Sequence, residues 1–374
     1  MKNKPEFHGS DLEKIANYYH LDKEKIVLFG ANVNPLGLSD QVKKDLADHL
    51  DIISSYPDRN YTGLKKAISE YTGTQPEHIV VGNGSTELIS LLINQRAPKK
   101  ALLLGPTYSE YARELNLVGG TLEYYNLKEP DHFQLDLPGL TATLESDVEL
   151  LIICNPNNPT SSAISTDEMK QILSICKSLN IFVMIDETYI EFAPEDAVLS
   201  AIPLVSEFDN FMVIRGVSKF FAAPGLRFGY GITSNQEFLQ TLLTHQNPWS
   251  LNSIGAYAGE RMLKDTAYIQ KTWKLIDSER TRMCKELSQL DTVKIYPAYA
   301  NFILVRILKE GVTSFDVFEK AIHQNLMIRD CAKVSPCLPS PASAFDFKRL
   351  SMRLKKYPIC SIAISFPQSC FQQY

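Results

Sequence analysis

Paired cysteines are missing from this chain of 374 residues. Its seven cysteines, Cys154, Cys176, Cys284, Cys331, Cys337, Cys360 and Cys370, are scattered, with no CxxC motif and no Cys/His cluster. That pattern offers no thiolate metal site and no disulfide framework, and it fits free thiols in a reducing cytoplasm. No apolar run approaches the roughly 20 residues of a membrane span. The start, Met1-Lys2-Asn3-Lys4-Pro5-Glu6, carries no apolar signal core. Basic charge is not in excess: the net charge is −5, which argues against a nucleic-acid partner. Linkers rich in Gly or Ser, internal repeats and low-complexity tracts are absent as well. Hydrophobic content of 44% and charged content of 22% are those of an ordinary soluble globular protein. The length accommodates a large domain plus a smaller one.

The most informative stretch is Val213-Ile214-Arg215-Gly216-Val217-Ser218-Lys219-Phe220-Phe221-Ala222-Ala223-Pro224-Gly225-Leu226-Arg227. A lysine follows a short apolar run, and an arginine stands eight residues later on a Pro-Gly-Leu-Arg turn. A lysine that forms a Schiff base needs a fixed backbone and neighbours that lower its pKa. A guanidinium at a set distance suits a phosphate, because its planar fork binds two oxygens at once. The spacing therefore fits an aldehyde cofactor carrying a phosphate, pyridoxal 5′-phosphate. Taken alone, it fits a solvated Lys and Arg flanking an apolar turn equally well.

Two further stretches point the same way. Cys154-Asn155-Pro156-Asn157-Asn158-Pro159-Thr160 follows the apolar run 148–153, and Asp186-Glu187-Thr188-Tyr189 follows 181–185. Each puts polar groups at the carboxyl end of a buried strand, where open α/β sheets bind ligands. Asp186 can keep a pyridine nitrogen protonated, making the ring an electron sink; Asn158 and Tyr189 can hydrogen-bond a ring hydroxyl. Ile79-Val80-Val81-Gly82-Asn83-Gly84-Ser85-Thr86 reads as strand, tight turn and helix start, with the amides of Ser85 and Thr86 forming an anion site. Tyr108, after the strand 101–104, is placed to stack on a flat ring, although an aromatic in such a loop is more often simple packing. Strands near 122–126, 149–154, 181–186, 211–215 and 228–232 alternate with helical patterns, which predicts a mostly parallel, doubly wound sheet. Before them, Ser10 or Asp11 can cap a helix through Tyr19, and 27–37 reads as a strand entering a lid loop that carries Asn32. After them come a long charged helix over about 262–289, strands at 293–296 and 301–305, and a helix at 314–324.

With these residues in place, the chain resembles the fold-type I pyridoxal-phosphate enzymes of the class I/II aminotransferase group, from about residue 8 to about residue 331. The resemblance implies an α/β fold with a large cofactor-binding domain, 45–265, whose sheet is mostly parallel and doubly wound. It also implies a smaller α/β domain and N-terminal lid from 1–44 and 266–374. Lys219 is then the Schiff-base lysine and Asp186 the partner of the pyridine nitrogen. Asn158 and Tyr189 contact the ring hydroxyl, and Tyr108 stacks on the ring. Gly84, Ser85, Thr86, Ser218 and Arg227 hold the phosphate. Tyr56 matches a tyrosine that reaches the phosphate of a neighbouring subunit, which implies a homodimer. No metal is implied.

Within the group, two kinds of enzyme come closest: the threonine-phosphate decarboxylases of cobalamin biosynthesis and the histidinol-phosphate aminotransferases. His8-Gly9, Ala31 to Gly37, Pro248-Trp249-Ser250-Leu251-Asn252 and Ile328-Arg329-Asp330-Cys331 look more like the decarboxylases. The resemblance then implies a phosphorylated amino acid as substrate, held by His8, Gly9, Asn32, Asn158 and Arg329. Three departures stand against the pattern. Gly216 replaces a Ser or Thr that donates to the cofactor phosphate. Ser161 replaces a Gly. Ser361 stands where the group has a substrate-binding arginine, in a tail from Ala332 that is unlike the group. Either Arg349 or Arg353 substitutes, or the substrate lacks that contact, or the tail impairs turnover and leaves a cofactor-binding protein.

Overall fold

The computed structural model describes Phe7, residues 11–144 and 147–331, and the backbone of a strand at 361–365. A two-residue strand, β1 (Val27–Leu28), comes first. Seven strands then make the principal sheet: β2 (Ile79–Asn83), β3 (Lys100–Gly105), β4 (Thr121–Asn126), β5 (Leu150–Cys154), β6 (Phe182–Asp186), β7 (Phe211–Gly216) and β8 (Phe228–Ile232). Their order is β2-β8-β7-β6-β5-β3-β4. Each pair is parallel except those of β8, which runs antiparallel to both β2 and β7. The predicted strands fall within a residue or two of the observed ones, and the sheet is the expected largely parallel one.

Sequence explains why this sheet lies inside. β5, β6 and β7 are buried along their whole length, as expected for near-continuous apolar runs covered on both faces. Successive side chains of a strand point to opposite faces. Accordingly Val183, Ile185 and Val213 join one apolar cluster, while Phe182, Met184, Met212 and Ile214 join another. Helices supply both covers. One of them, Thr166–Ser178, opens on a reciprocal capping box between Ser165 and Glu168, a local start signal written in the sequence. The edge strand β4 is largely exposed and polar.

A second, four-stranded sheet has the order β12-β13-β10-β9. It comprises β9 (Val293–Ile295), β10 (Phe302–Ile307), β12 (Arg329–Asp330) and β13 (Ser361–Ser365), while β11 (Leu326–Met327) pairs with β1 instead. Its core joins Ile15, Ile26 and Phe29 to Met283, Val305, Phe318 and Ile328. The predicted charged helix is Thr266–Leu287. Its Trp273 indole donates to the Glu191 carbonyl at 2.6 Å, and its Arg280 donates to the Phe192 carbonyl at 2.7 Å. Glu129, just past β4, accepts from Lys294 Nζ at 2.6 Å and from the Tyr296 hydroxyl at 2.7 Å. The first helix, Leu12–Tyr19, starts at Asp11 as expected, but the Asp11 side chain makes no capping bond. Ser10 lies outside the described residues.

Candidate active site

The carboxyl ends of β5, β6 and β7 deliver Cys154, Asp186 and, three residues past β7, Lys219 to one cavity of about 300 Å³. This is the end at which open α/β sheets bind ligands. Among the described residues lining it are Gly84, Ser85, Thr86, Tyr108, Asn158, Asp186, Tyr189, Ser218, Lys219, Arg227 and Arg329. Eleven residues from well-separated parts of the sequence are thus brought together around one cavity.

One end of the cavity is built for an anion. The helix Gly84–Arg96 begins with no side-chain cap, so its first amides are free to bind negative charge. Gly84 has φ +81, and a Cβ there would lie 2.6 Å from Arg227 Nη2. Glycine is therefore favoured by its backbone angle, and a Cβ would push the guanidinium tip aside. A Cβ on Gly229 would meet the Ser85 amide nitrogen at 2.4 Å, so a second glycine lets β8 approach the helix start. The departure at Gly216 has a local explanation. A side chain there would press on Ser85, whose Oγ and Cβ already stand 3.1 and 3.3 Å from the position of its Cβ.

At the opposite end lies a buried acid. Asp186 Oδ2 accepts from the Tyr111 hydroxyl at 2.6 Å. Its Oδ1 accepts from the Thr188 amide at 2.9 Å and the Thr188 hydroxyl at 2.5 Å. Burial raises the Asp186 pKa above the ordinary carboxylate value, against the pull of these hydrogen bonds. A cationic ring N–H is the partner that such a carboxylate wants.

Between them, Lys219 Nζ donates to the Ala31 carbonyl at 2.8 Å. Burial, then the positive charges of Arg329 and Arg227, bring its pKa down to about 8. A near-neutral amine is the reactive form for attack on an aldehyde. Asn34 fixes the loop above it. Its amide donates to the Lys219 carbonyl at 3.0 Å, and its side chain reaches the Phe220 carbonyl at 2.8 Å and Thr272 Oγ1 at 2.9 Å.

Asn158, Tyr189 and Arg329 line the cavity as well, whereas Asn32 is buried beside Ala31 and is not among the lining residues. Arg329 Nη1 donates to Asn158 Oδ1 at 3.3 Å. Burial raises the Tyr189 phenol pKa, against the pull of the buried Asn32 side chain. Tyr56 does not enter the cavity of its own chain: it is 79% exposed and lies against the Trp249 ring, with centroids 4.7 Å apart. His8, Gly9, Arg349 and Arg353 lie outside the described residues. Of Ser361 only the backbone is described, at the start of β13 in register with Phe302. Sequence reasoning missed Tyr111, Thr188, Ala31 and Asn34. Of these, only Tyr111, three residues after Tyr108 and so on the same helical face, carried a signal.

The donor set fits pyridoxal 5′-phosphate: an amine of lowered pKa, a buried carboxylate, an anion cradle that any Cβ at residue 84 would fill, and the half-buried aromatic Tyr108 beside them. Comparison with known proteins agrees. The chain is 34% identical over 325 residues to the threonine-phosphate decarboxylase of Salmonella typhimurium, covering 87% of this chain and 88% of that one. It is 30% identical over 328 residues to the histidinol-phosphate aminotransferase of Methanococcus maripaludis, covering 86% of each. The crystal structure of the histidinol-phosphate aminotransferase from Clostridium acetobutylicum superposes with a TM-score of 0.79 at 29% identity, over 88% of this chain and 99% of that one. Residues 24–339 match the model of the family described as aminotransferase class I and II. The chain belongs to that family of pyridoxal-phosphate-dependent enzymes.

Proposed function

We propose that the protein decarboxylates an O-phosphorylated amino acid of the phosphothreonine kind, as a cytoplasmic homodimer serving cobalamin biosynthesis. One observation carries the choice of reaction. Among the described residues lining the cavity, the cations are Lys219, Arg227 and Arg329. Arg227 faces the anion cradle and Lys219 is the reacting amine, so among the described lining residues Arg329 is the cation left for the substrate phosphate. A decarboxylase gains from a loosely held carboxylate, provided the phosphate is gripped. The similarity to a threonine-phosphate decarboxylase supports the same choice.

Bound pyridoxal 5′-phosphate supplies an aldehyde for the substrate amine and a ring that accepts the electron pair of the broken bond. The chain's own residues do the rest. Asp186, held by Tyr111 and Thr188, keeps the proton on the ring nitrogen. Gly84, Ser85, Thr86, Ser218 and Arg227 hold the phosphate, Tyr108 covers the ring, and Asn158 and Tyr189 hold its hydroxyl. Lys219, with its pKa near 8, moves a proton between Nζ and the substrate carbon. The Ala31 carbonyl receives the amine when it is free. Arg329 and Asn32, with His8 and Gly9, hold the substrate phosphate.

The same reading divides the chain into a cofactor domain, 45–265, and a lid with small domain, 1–44 and 266–374. It is supported by the apolar cluster that joins residues 15–29 to 283–328. The free thiols Cys154, Cys176 and Cys284 support a reducing compartment, and the exposure of Tyr56 supports a partner subunit against it. Transamination of histidinol phosphate is the second reading, favoured by the similarity to aminotransferases of that kind. Assays of CO2 release and amino transfer with O-phospho-L-threonine, O-phospho-L-serine and histidinol phosphate separate the two.

A further inference from the structure

The loop of Asn158 and the loop before Asn32, through Gly30 and Ala31, line the cavity from different parts of the chain, and a third segment joins them. Ser161 ends the first loop. It is fully buried, with φ +59, in the left-handed region that favours glycine. Its Oγ accepts from the Tyr299 amide at 3.1 Å and the Ala300 amide at 2.9 Å, and its carbonyl accepts from the Tyr299 amide at 2.9 Å. The next residue, Asn301, is buried too, and its Nδ2 donates to the Asn32 carbonyl at 3.0 Å.

We propose that Ser161 and Asn301 are positioning residues: a relay that sets Asn32 from the Asn158 loop and so fixes the substrate end of the cavity. Two features argue that the relay is retained for this purpose. A serine in left-handed backbone is strained, and such strain persists where the surroundings over-determine it. Here the hydroxyl provides that surplus by taking two backbone amides that otherwise have no side-chain acceptor at this point. Asn301 keeps its Oδ1 buried without a partner. A buried amide half-satisfied at a cost is explained by the one bond it does make, to the Asn32 carbonyl. Ala300 is held from its other side as well, its carbonyl accepting from Arg280 Nη1 at 3.3 Å. The segment 299–301 therefore does not follow the Asn32 loop passively.

The test uses the holoenzyme with Ser161→Gly, which relieves the left-handed backbone while removing the hydroxyl, and with Asn301→Ala. Hydrogen exchange is read at residues 31–34 and 299–301, alongside steady-state kinetics with O-phospho-L-threonine. Both variants are expected to exchange residues 31–34 about 5-fold faster or more, with coenzyme affinity retained. KM rises about 5- to 10-fold while kcat stays within about 2-fold, and the double variant is no worse than either single one, as two residues on one path require. Faster exchange confined to 299–301, with residues 31–34 unchanged, overturns the relay and leaves Ser161 a local acceptor. Only the KM measurement rests on the proposed substrate. A wild-type enzyme that does not saturate with O-phospho-L-threonine refutes that reading, while the exchange result still decides the relay.

Discussion

The Tyr111 hydroxyl stands 2.6 Å from Asp186 Oδ2, and both groups are buried. Tyrosine and aspartate come from different strand-helix units and meet at the wall of the cavity. Burial raises the Asp186 pKa, while Tyr111 and Thr188 hold it down. The protonated acid therefore stabilises the apoprotein below the ordinary carboxylate pKa, and that contribution is lost as pH rises through the raised one. Ionised Asp186 is a burden on the apoprotein at neutral pH. Asp186→Asn apoprotein should then melt no lower than wild type at pH 7, with any advantage vanishing on acidification. Its coenzyme affinity should fall by about 10-fold or more, since one charge-assisted pair is worth roughly 1.5–3 kcal/mol. Tyr111→Phe should raise the Asp186 pKa further and weaken coenzyme binding more modestly. Calorimetry across pH, with and without coenzyme, measures both effects.

Lys219 obeys the opposite sign. Its folded pKa of about 8 lies below the ordinary 10.5. The protonated amine therefore destabilises the apoprotein in full below about 8, and the penalty disappears as pH rises from there to 10.5. Lys219→Met apoprotein is expected to be more stable than wild type at pH 7, by about 1–3 kcal/mol once solvent screening is allowed for. The margin should shrink to nothing by pH 10.5. Denaturant melts at several pH values test this, and borohydride should fix the coenzyme to wild type but not to the variant.

Much of this was legible in the sequence because buried strands announce themselves. Runs such as 150–154 and 182–186 are continuously apolar and end in polar turn residues, so Asp186 and Lys219 could be placed at strand ends without a structure. Other features have little or no sequence signature. Tyr111 is marked only by its spacing from Tyr108, and Asn34 looks like a turn asparagine before a proline. The Ala31 carbonyl is backbone, which no side-chain pattern reveals. Ser161 stood out only as a departure from a glycine, and its two bonds to 299–300 depend on a contact across about 140 residues of sequence. Tyr56 was identified by its position alone, and its exposure gives it no task within its own subunit.

Gly84→Ala should damage the anion cradle. Its φ of +81 strains any side chain, and a Cβ there would stand 2.6 Å from Arg227 Nη2 and push the guanidinium aside. Left-handed backbone costs roughly 1–2 kcal/mol for a non-glycine residue. A lower melting temperature and a coenzyme affinity weaker by about 10-fold or more are expected, since displacing Arg227 forfeits a charged hydrogen bond to phosphate. Equilibrium titration with coenzyme checks it, and an unchanged affinity would remove Arg227 from the phosphate site.

Tyr56 predicts an assembly with two composite sites. Sedimentation should give a dimer at micromolar concentration. Tyr56→Phe should weaken coenzyme binding without dissociating it. A monomer that holds the coenzyme tightly would refute the shared site.

The central claim is the reaction itself. Holoenzyme mixed with a stoichiometric amount of O-phospho-L-threonine and followed through one turnover reports both products at once. CO2 release matching the substrate consumed, with the coenzyme returned to its aldehyde form, is the predicted result. Amination of the coenzyme without CO2 would contradict the account and make the protein an aminotransferase.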